Sequence, residues 1–387
     1  MADRADLVVI GGGLAGLSLA MRLAQLGYGG RVRIIEPRQH YEDDRSWAFW
    51  TTRGSVWAAS ATRTWDRWRF SMTDGESLTR SAEGWCYAYV RSEEFYQAAL
   101  RTIAGSPNIT LLTGTRAADI EALGDDVHVS TTGHGGILTA RHVVDTRSPS
   151  ASQCSAATLF QSFVGHELRL SQPGFDAEQV ELMTDMRCDA RGFVFSYVLA
   201  LSPTRALVEV TRFTPQPIGA AELAPDLESL LDARGWSHAE RLRSESATLP
   251  MGLPAPAGAG TVRGVVRAGI GGGALRAASG YGFLRIQAWA DSCADALVQG
   301  CPPVGHPDDP PMRCWMDRLF LRVLASHPAR TPEFFLRLAS SVPGPAFVRF
   351  MSDQAGWADH GRIIAALPPV PFLQALRARP RRTRLPA

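Results

Sequence analysis

The first 36 residues restrict the fold more than any other stretch. Leu7-Val8-Val9-Ile10 is a short apolar run of the kind that forms a buried strand. Gly11-Gly12-Gly13-Leu14-Ala15-Gly16 follows, then an amphipathic stretch to Gln25-Leu26. Val32-Arg33-Ile34-Ile35 reads as a second strand, closed by Glu36. Strand, glycine turn, helix, strand and acid in this order make the pattern of a dinucleotide site. Gly11 permits the tight turn, Gly13 lets the backbone approach a pyrophosphate, and Gly16 lets helix and strand pack closely. The helix N-terminus offers free N–H groups and a positive dipole end to phosphate. Glu36 can accept hydrogen bonds from an adenosine ribose. An acid there favours an unphosphorylated ribose, hence FAD or NAD(H) over NADP(H). The bland alternative is a glycine-rich βα turn with no ligand.

At 387 residues the chain suffices for two domains, or for one with a large insertion. A hydrophobic fraction of 45% is that of a globular protein. The net charge of +2, with every basic residue an Arg, carries no footprint of nucleic-acid binding. Cys86, Cys154, Cys188, Cys293, Cys301 and Cys314 are scattered without C-x-x-C or Cys/His spacing. That predicts reduced thiols in a cytoplasmic protein and no metal site. The first strand begins within a few residues of Met1, which predicts no signal peptide. No apolar run approaches the ~18–20 residues of a membrane span, so lipid contact is expected to be peripheral.

A long loop is expected from Pro37 to about Arg53. It holds Asp43, Asp44 and Arg45 beside Trp47, Phe49 and Trp50, a content suited to lining a site. Trp65–Met72 and Trp85–Val90 read as strands, and a helix is expected with Ser92 as its N-cap. Ile109–Leu112 reads as a parallel strand, followed by a meander over 127–130, 137–139 and 142–144 ending in Asp145. From Phe160 to Phe213 the period is two, with 192–199 and 206–213 as an antiparallel pair joined at Ser202-Pro203-Thr204. A helix is expected over 226–235, a loop over 250–260, and a return to the first sheet over 262–268. Gly269–Gly273 and Ala278-Ser279-Gly280-Tyr281-Gly282 then open a helix to about Val298. Paired with the first glycine turn, this second one favours FAD over NAD. The chain closes with apolar helices and an Arg-rich tail, Arg377 to Arg384. These suit an anionic membrane surface, or equally a helical cap with a solvated tail. The expected organisation is a discontinuous FAD-binding domain (1–150 and 261–300), a substrate-binding β-sheet domain (151–260) and a helical region (301–387).

Taken together, these segments resemble the bacterial lycopene cyclase family, the FAD-dependent, non-membrane-spanning type. The likeness runs nearly end to end. Its carriers are Gly11–Gly16; 43–50; 89–95; 143–147; 161–165; 182–185; 193–197; 202–213; 249–252; and 276–283. Leu207-Val208-Glu209 and the Ser279-Gly280-Tyr281-Gly282 turn are the more specific. The resemblance implies an α/β fold similar to the p-hydroxybenzoate hydroxylase-like flavoproteins: a Rossmann-like FAD-binding domain, an antiparallel β substrate domain and a helical C-terminal region. It implies an isomerase that closes the acyclic ψ-ends of lycopene into β-ionone rings, using reduced FAD without net redox change. NAD(P)H would be the external reductant, and the partners an apolar polyene and a membrane surface. It places the essential acid at Glu209 and cofactor contacts at Gly11, Gly13, Gly16, Glu36, Gly280 and Tyr281. His166, Ala200, Val210 and the 276–278 loop depart from the family pattern. They are expected near the substrate face, where they bear on the identity of the polyene or terpenoid.

Closing a ψ-end is acid chemistry: a proton adds to the terminal C=C, the next double bond attacks the cation, and a ring proton leaves. Glu209 on an apolar strand suits a proton donor if it faces a hydrocarbon slot that raises its pKa. On pattern alone it is more readily a Glu paired with Arg212 or Arg205 on the outer face of the sheet, and the resemblance is what favours the acid role. Trp47, Phe49, Trp50, Phe193, Phe195 and Tyr197 are candidates to face a cation, or else plain core. Asp43 and Asp44 are secondary acids or ion-pair partners, with Arg45 the residue to hold one of them. His166 is a proton relay or a satisfied surface histidine. The competing functions are a flavin oxidoreductase or monooxygenase of the same fold, a cyclase of another prenyl chain, and a non-catalytic flavin protein.

Overall fold

A computed structural model of the chain describes residues 4–133, 136–253 and 262–377. Two compact units emerge: Met1–Phe49 with Tyr89–Ala157 and Leu253–Asp309, and Trp50–Ala88 with Thr158–Gly252 and Pro310–Ala387. The chain passes from one unit to the other within strands Ser46–Thr52 and Trp85–Arg91.

The first unit is built on a seven-stranded sheet. Ala5–Ile10 lies at its centre, parallel to Val32–Ile35 on one side and Ile137–Asp145 on the other. Leu7 to Ile10 are all buried, as a strand covered on both faces requires. Helix Leu14–Gln25 follows the glycine turn, and its Ser18 accepts a hydrogen bond from Gln287 of helix Phe283–Val298. Ile109–Leu112 adds on in parallel beyond Val32–Ile35, as expected. The meander differs from expectation. Arg116–Leu123 is an additional strand, and 137–145 is a single strand rather than two. Its first half pairs with Asp126–Thr132; its second half takes Val265–Arg267 as parallel neighbour, the expected return of the chain.

The expected loop ends early, since residues 46–52 are a strand. Nor is Ser92 an N-cap. Arg91 holds that position and Ser92 is the buried first helical residue. The helix is capped from afar. Asp43 Oδ1 accepts from Ser92 Oγ (3.2 Å) and Glu93 N (3.3 Å), while Asp43 Oδ2 pairs with Arg91 Nε (3.0 Å).

A second seven-stranded sheet forms the other unit, in the order 240–251, 159–169, 205–214, 192–202, 180–189, 67–72, 77–81. Every pairing is antiparallel except Val180–Asp189 with Arg67–Met72. That parallel pairing draws residues 50–88, assigned from sequence to the first domain, into the second unit. The C-terminal helices join it too instead of standing apart. Arg80 Nε donates to Ala339 O (2.7 Å), and Phe335 stacks on Phe193 (5.4 Å). One face of the sheet packs Val164, Val198, Val208 and Val210 on Leu223 and Leu227 of helix Ala220–Ala233. By strand alternation the other face carries Phe193, Phe195, Tyr197, Glu209 and Phe213. The Arg-rich tail beyond Arg377, and most of the loop expected over 250–260, lie outside the described residues.

Candidate functional site

In the first unit two of the turn's three named glycines, Gly11 and Gly16, sit at a close approach, and the third, Gly13, leaves open space. A Cβ on Gly16 would overlap the Gly11 carbonyl oxygen, and Gly11 itself sits at φ 102° against Thr146. A Cβ on Gly13 would meet nothing within 4 Å, so the backbone there is open to approach. Helix Leu14–Gln25 has no side-chain cap and no acid in its first turn. Its N–H groups are therefore left for an anion. Glu36 is buried beside the turn. Its Oε2 accepts from Gly12 N (2.8 Å), its Oε1 from Arg38 N and Nε (2.9 Å each). Burial raises the Glu36 pKa, but the Arg38 hydrogen bonds outweigh it and hold the carboxyl below its usual value. An ionised acceptor at this place is what a ribose diol needs. These residues fit FAD.

The second glycine turn is closed by two crossed bonds, Gly280 N to Arg276 O and Arg276 N to Tyr281 O (2.9 Å each). Gly280 is at φ 70°, a conformation that favours glycine. The turn delivers the chain to a second helix start at Gly282, again without side-chain cap or acid. Phe283 opens that helix, stacks on Phe49 (4.5 Å) and touches Trp47 (5.7 Å). Those two aromatics are thereby fixed beside the second turn. Gly269 N donates to His306 Nε2 (3.1 Å), and burial, then Arg285, push that imidazole down to about 4. His306 is thus a neutral acceptor near pH 7. Asp44 is held by Arg45 (2.6 Å), as expected, and by Tyr96 OH (3.2 Å). Burial acts upward on its pKa, and the Arg45 bond overrides it to keep Asp44 ionised. Asp43 and Asp44 are anchors of the fold here: Asp43 caps helix Ser92–Ala104, and Asp44 is bound by Arg45 and Tyr96.

In the second unit, Glu209 is 7% exposed and its Oε1 has no hydrogen-bond partner among the described residues. Across the sheet it lies opposite Tyr197 on one side and Gly165 on the other, and Gly165 in turn lies opposite Glu245. A Cβ at Gly165 would fall 2.5 Å from Glu209 Cγ and 3.0 Å from Oε1. The glycine thus makes the space that Glu209 occupies. Burial, then the charge of Glu245 and a side-chain hydrogen bond to it, push the Glu209 carboxyl well above the usual range; Arg243 opposes them weakly. Tyr197 OH is bonded to Tyr87 OH (2.8 Å). Phe193 packs on Phe195 and Phe213 (5.5 Å each).

The alternative pairings of Glu209 do not occur. Arg212 is buried and bridges Asp189 (2.7 Å) and Asp226 (2.7 Å), and Arg205 pairs with Glu167. Trp50 is core, edge-on to Trp68, Tyr87 and Phe347. The expectation for His166, Ala200 and Val210 is overturned. Ala200 and Val210 pack in the core beneath helix Ala220–Ala233, on the opposite face from Glu209. His166, beside Val208 in register, bonds Ser244 Oγ (3.0 Å). Alternation along each strand puts all three on that face, so His166 is no relay for Glu209.

The lycopene cyclase protein family model matches residues 6–377. The chain belongs to the lycopene cyclase family. The lycopene beta-cyclase of Pseudescherichia vulneris is 28% identical to this family member, over 96% of both chains. Among solved structures, a geranylgeranyl bacteriochlorophyll reductase-like protein from Thermoplasma acidophilum reaches a TM-score of 0.62 at 11% identity, covering 97% of this chain and 99% of its own. The flavin-dependent brominase Bmp2 reaches 0.60 at 14%, covering 94% and 98%. The chain therefore has the p-hydroxybenzoate hydroxylase-like flavoprotein fold, α/β with an antiparallel sheet and C-terminal helices.

Sequence reasoning missed Glu245 and Glu167, buried on the Glu209 face, and the half-buried Arg243 between them. One signal was available: an isolated glycine inside a strand pattern, Gly165, marks a close approach. His306, remote from both glycine turns in sequence, gave no signal.

Proposed function

We propose that this protein is a lycopene cyclase of carotenoid biosynthesis, an isomerase that closes acyclic ψ-ends to β-ionone rings with no net redox change. One observation carries the reading: a buried carboxyl, Glu209, is held toward its neutral acid form on a sheet face rich in aromatic side chains. Family membership supports the substrate. In this reading the Glu209 O–H donates its proton to the terminal C=C. Phe193, Phe195 and Tyr197 face the resulting tertiary cation, which aromatic faces stabilise. The Glu209 carboxylate then takes back a ring proton.

The glycine turns at Gly11–Gly16 and Gly280-Tyr281, with Glu36, would hold FAD. Bound in the reduced form, FAD supplies fixed negative charge that favours a cation, and NAD(P)H serves as external reductant. We also assign the protein to the cytoplasmic side of a membrane surface. Among the described residues no helix is long and apolar enough to cross a membrane. The last two helices nonetheless expose Trp357, Ile364, Val370 and Leu373.

The test is turnover of lycopene with pre-reduced FAD in the absence of oxygen. The expected product has the mass of lycopene and contains rings, and NAD(P)H consumption does not scale with it. A product heavier by oxygen or by two hydrogens would instead mark the protein as an oxidoreductase of the same fold. Cyclisation of a shorter prenyl chain with lycopene untouched would reassign the substrate.

A further inference from the structure

Glu209 is one end of a chain of charged side chains crossing three strands, and the carboxylates of that chain are buried. Glu167, at 0% exposure, accepts from Arg205 Nε and from Arg243 Nε (2.7 Å). Arg243 Nη1 donates to Glu245 Oε2. Glu245 reaches Glu209 over the gap at Gly165. Two guanidiniums thus stand against two carboxylates, Glu167 and Glu245. A charge on Glu209 would be a third carboxylate against these same two cations, in a place where uncompensated charge is costly. By register the same face also carries Tyr197, bonded to Tyr87 (2.8 Å), Cys188 opposite Phe193, and Arg169, which pairs with Glu240 (3.0 Å).

We propose that Glu245 is a positioning residue for the Glu209 acid: a carboxylate clamped by Arg243 that reaches across the gap at Gly165 and holds Glu209 in its proton-bearing form. The inference rests on the reading of Glu209 as the acid. It adds what keeps that acid loaded between turnovers. Once Glu209 has given up its proton, two carboxylates face each other over Gly165, and repulsion drives return of a proton to Glu209. A glutamine at 245 removes that repulsion and offers an amide donor, which stabilises the ionised form instead.

The experiment is infrared titration of the full-length protein, following the C=O stretch of protonated carboxyls, for the parent, Glu209→Gln and Glu245→Gln. The expected parent band persists to neutral pH and vanishes in Glu209→Gln. In Glu245→Gln its midpoint falls by about one pH unit or more. Should Glu245→Gln fail to fold, Glu245→Asp keeps the charge but withdraws it, and a smaller downward shift is expected. An unchanged midpoint in the folded variant overturns the proposal, whatever the activity. Rates distinguish the two readings. If the band shifts as expected but no ring product forms in the parent, the cyclase reading fails and the Glu245 assignment stands. If ring closure persists in Glu245→Gln with its alkaline limb unmoved, Glu245 is merely structural.

Discussion

At the scale of single residues, a buried carboxyl has two opposed consequences. Its raised pKa keeps the proton available, and its burial costs stability once the proton leaves. For a carboxyl raised on folding, the native state binds the proton more tightly than the unfolded chain. Stability from this group is therefore full below the usual carboxylate pKa and is lost as pH rises through the raised one. Glu209→Gln should then melt at or above the parent temperature, with the gap widening toward alkaline pH in calorimetric scans. The same variant should bind FAD as the parent does and lose ring closure by about 100-fold or more, the range for removal of a general acid. Retained turnover removes Glu209 from the acid role. The strand and its alternation were legible around Glu209, because period two is a local property. Its partner was not: Glu245 meets it across an intervening strand, through a residue that has no side chain.

At the scale of elements, the glycine turn was legible almost residue by residue. Gly16 answers a contact with the Gly11 backbone five residues earlier, so that spacing is written in the chain. Gly16→Ala forces its Cβ into the Gly11 carbonyl, so the turn or the helix must shift. FAD affinity, measured by flavin fluorescence titration, is expected to fall about tenfold or more, some 1.4 kcal/mol. Unchanged affinity would show that the turn does not hold the cofactor. The cap of helix Ser92–Ala104 shows the opposite case. Ser92 has the residue type of an N-cap, but Asp43, 49 residues earlier, supplies the capping oxygen. Local propensity identifies the helix; only the folded chain shows which side chain caps it.

At the scale of the whole molecule, sequence reading placed residues 50–88 by their position between two first-domain segments. The parallel pairing that takes them into the second unit is long-range and leaves no local mark. The departures at His166, Ala200 and Val210 illustrate the same limit. Without the register they seem close to Glu209, and one step of alternation turns all of them to the other face. The exposed apolar side chains of the last helices and the arginines from Arg377 onward predict binding to anionic vesicles. Each Arg near such a surface is worth about 1 kcal/mol, so deletion of 377–387 should weaken co-sedimentation and remove most of its salt dependence. Equal binding by the intact and shortened proteins would leave the tail without that role.

The central claim is that the reaction moves protons and carbon–carbon bonds but no net electrons, starting from an exchangeable carboxyl proton. Anaerobic turnover of lycopene in D2O with pre-reduced FAD measures this directly, because the carboxyl proton that Glu209 adds to the C=C exchanges with solvent between turnovers. The account predicts cyclised product carrying one deuterium for each ring and otherwise the mass of lycopene, with none formed by Glu209→Gln. Ring product without deuterium, or product altered by oxygen or by added hydrogen, would contradict it.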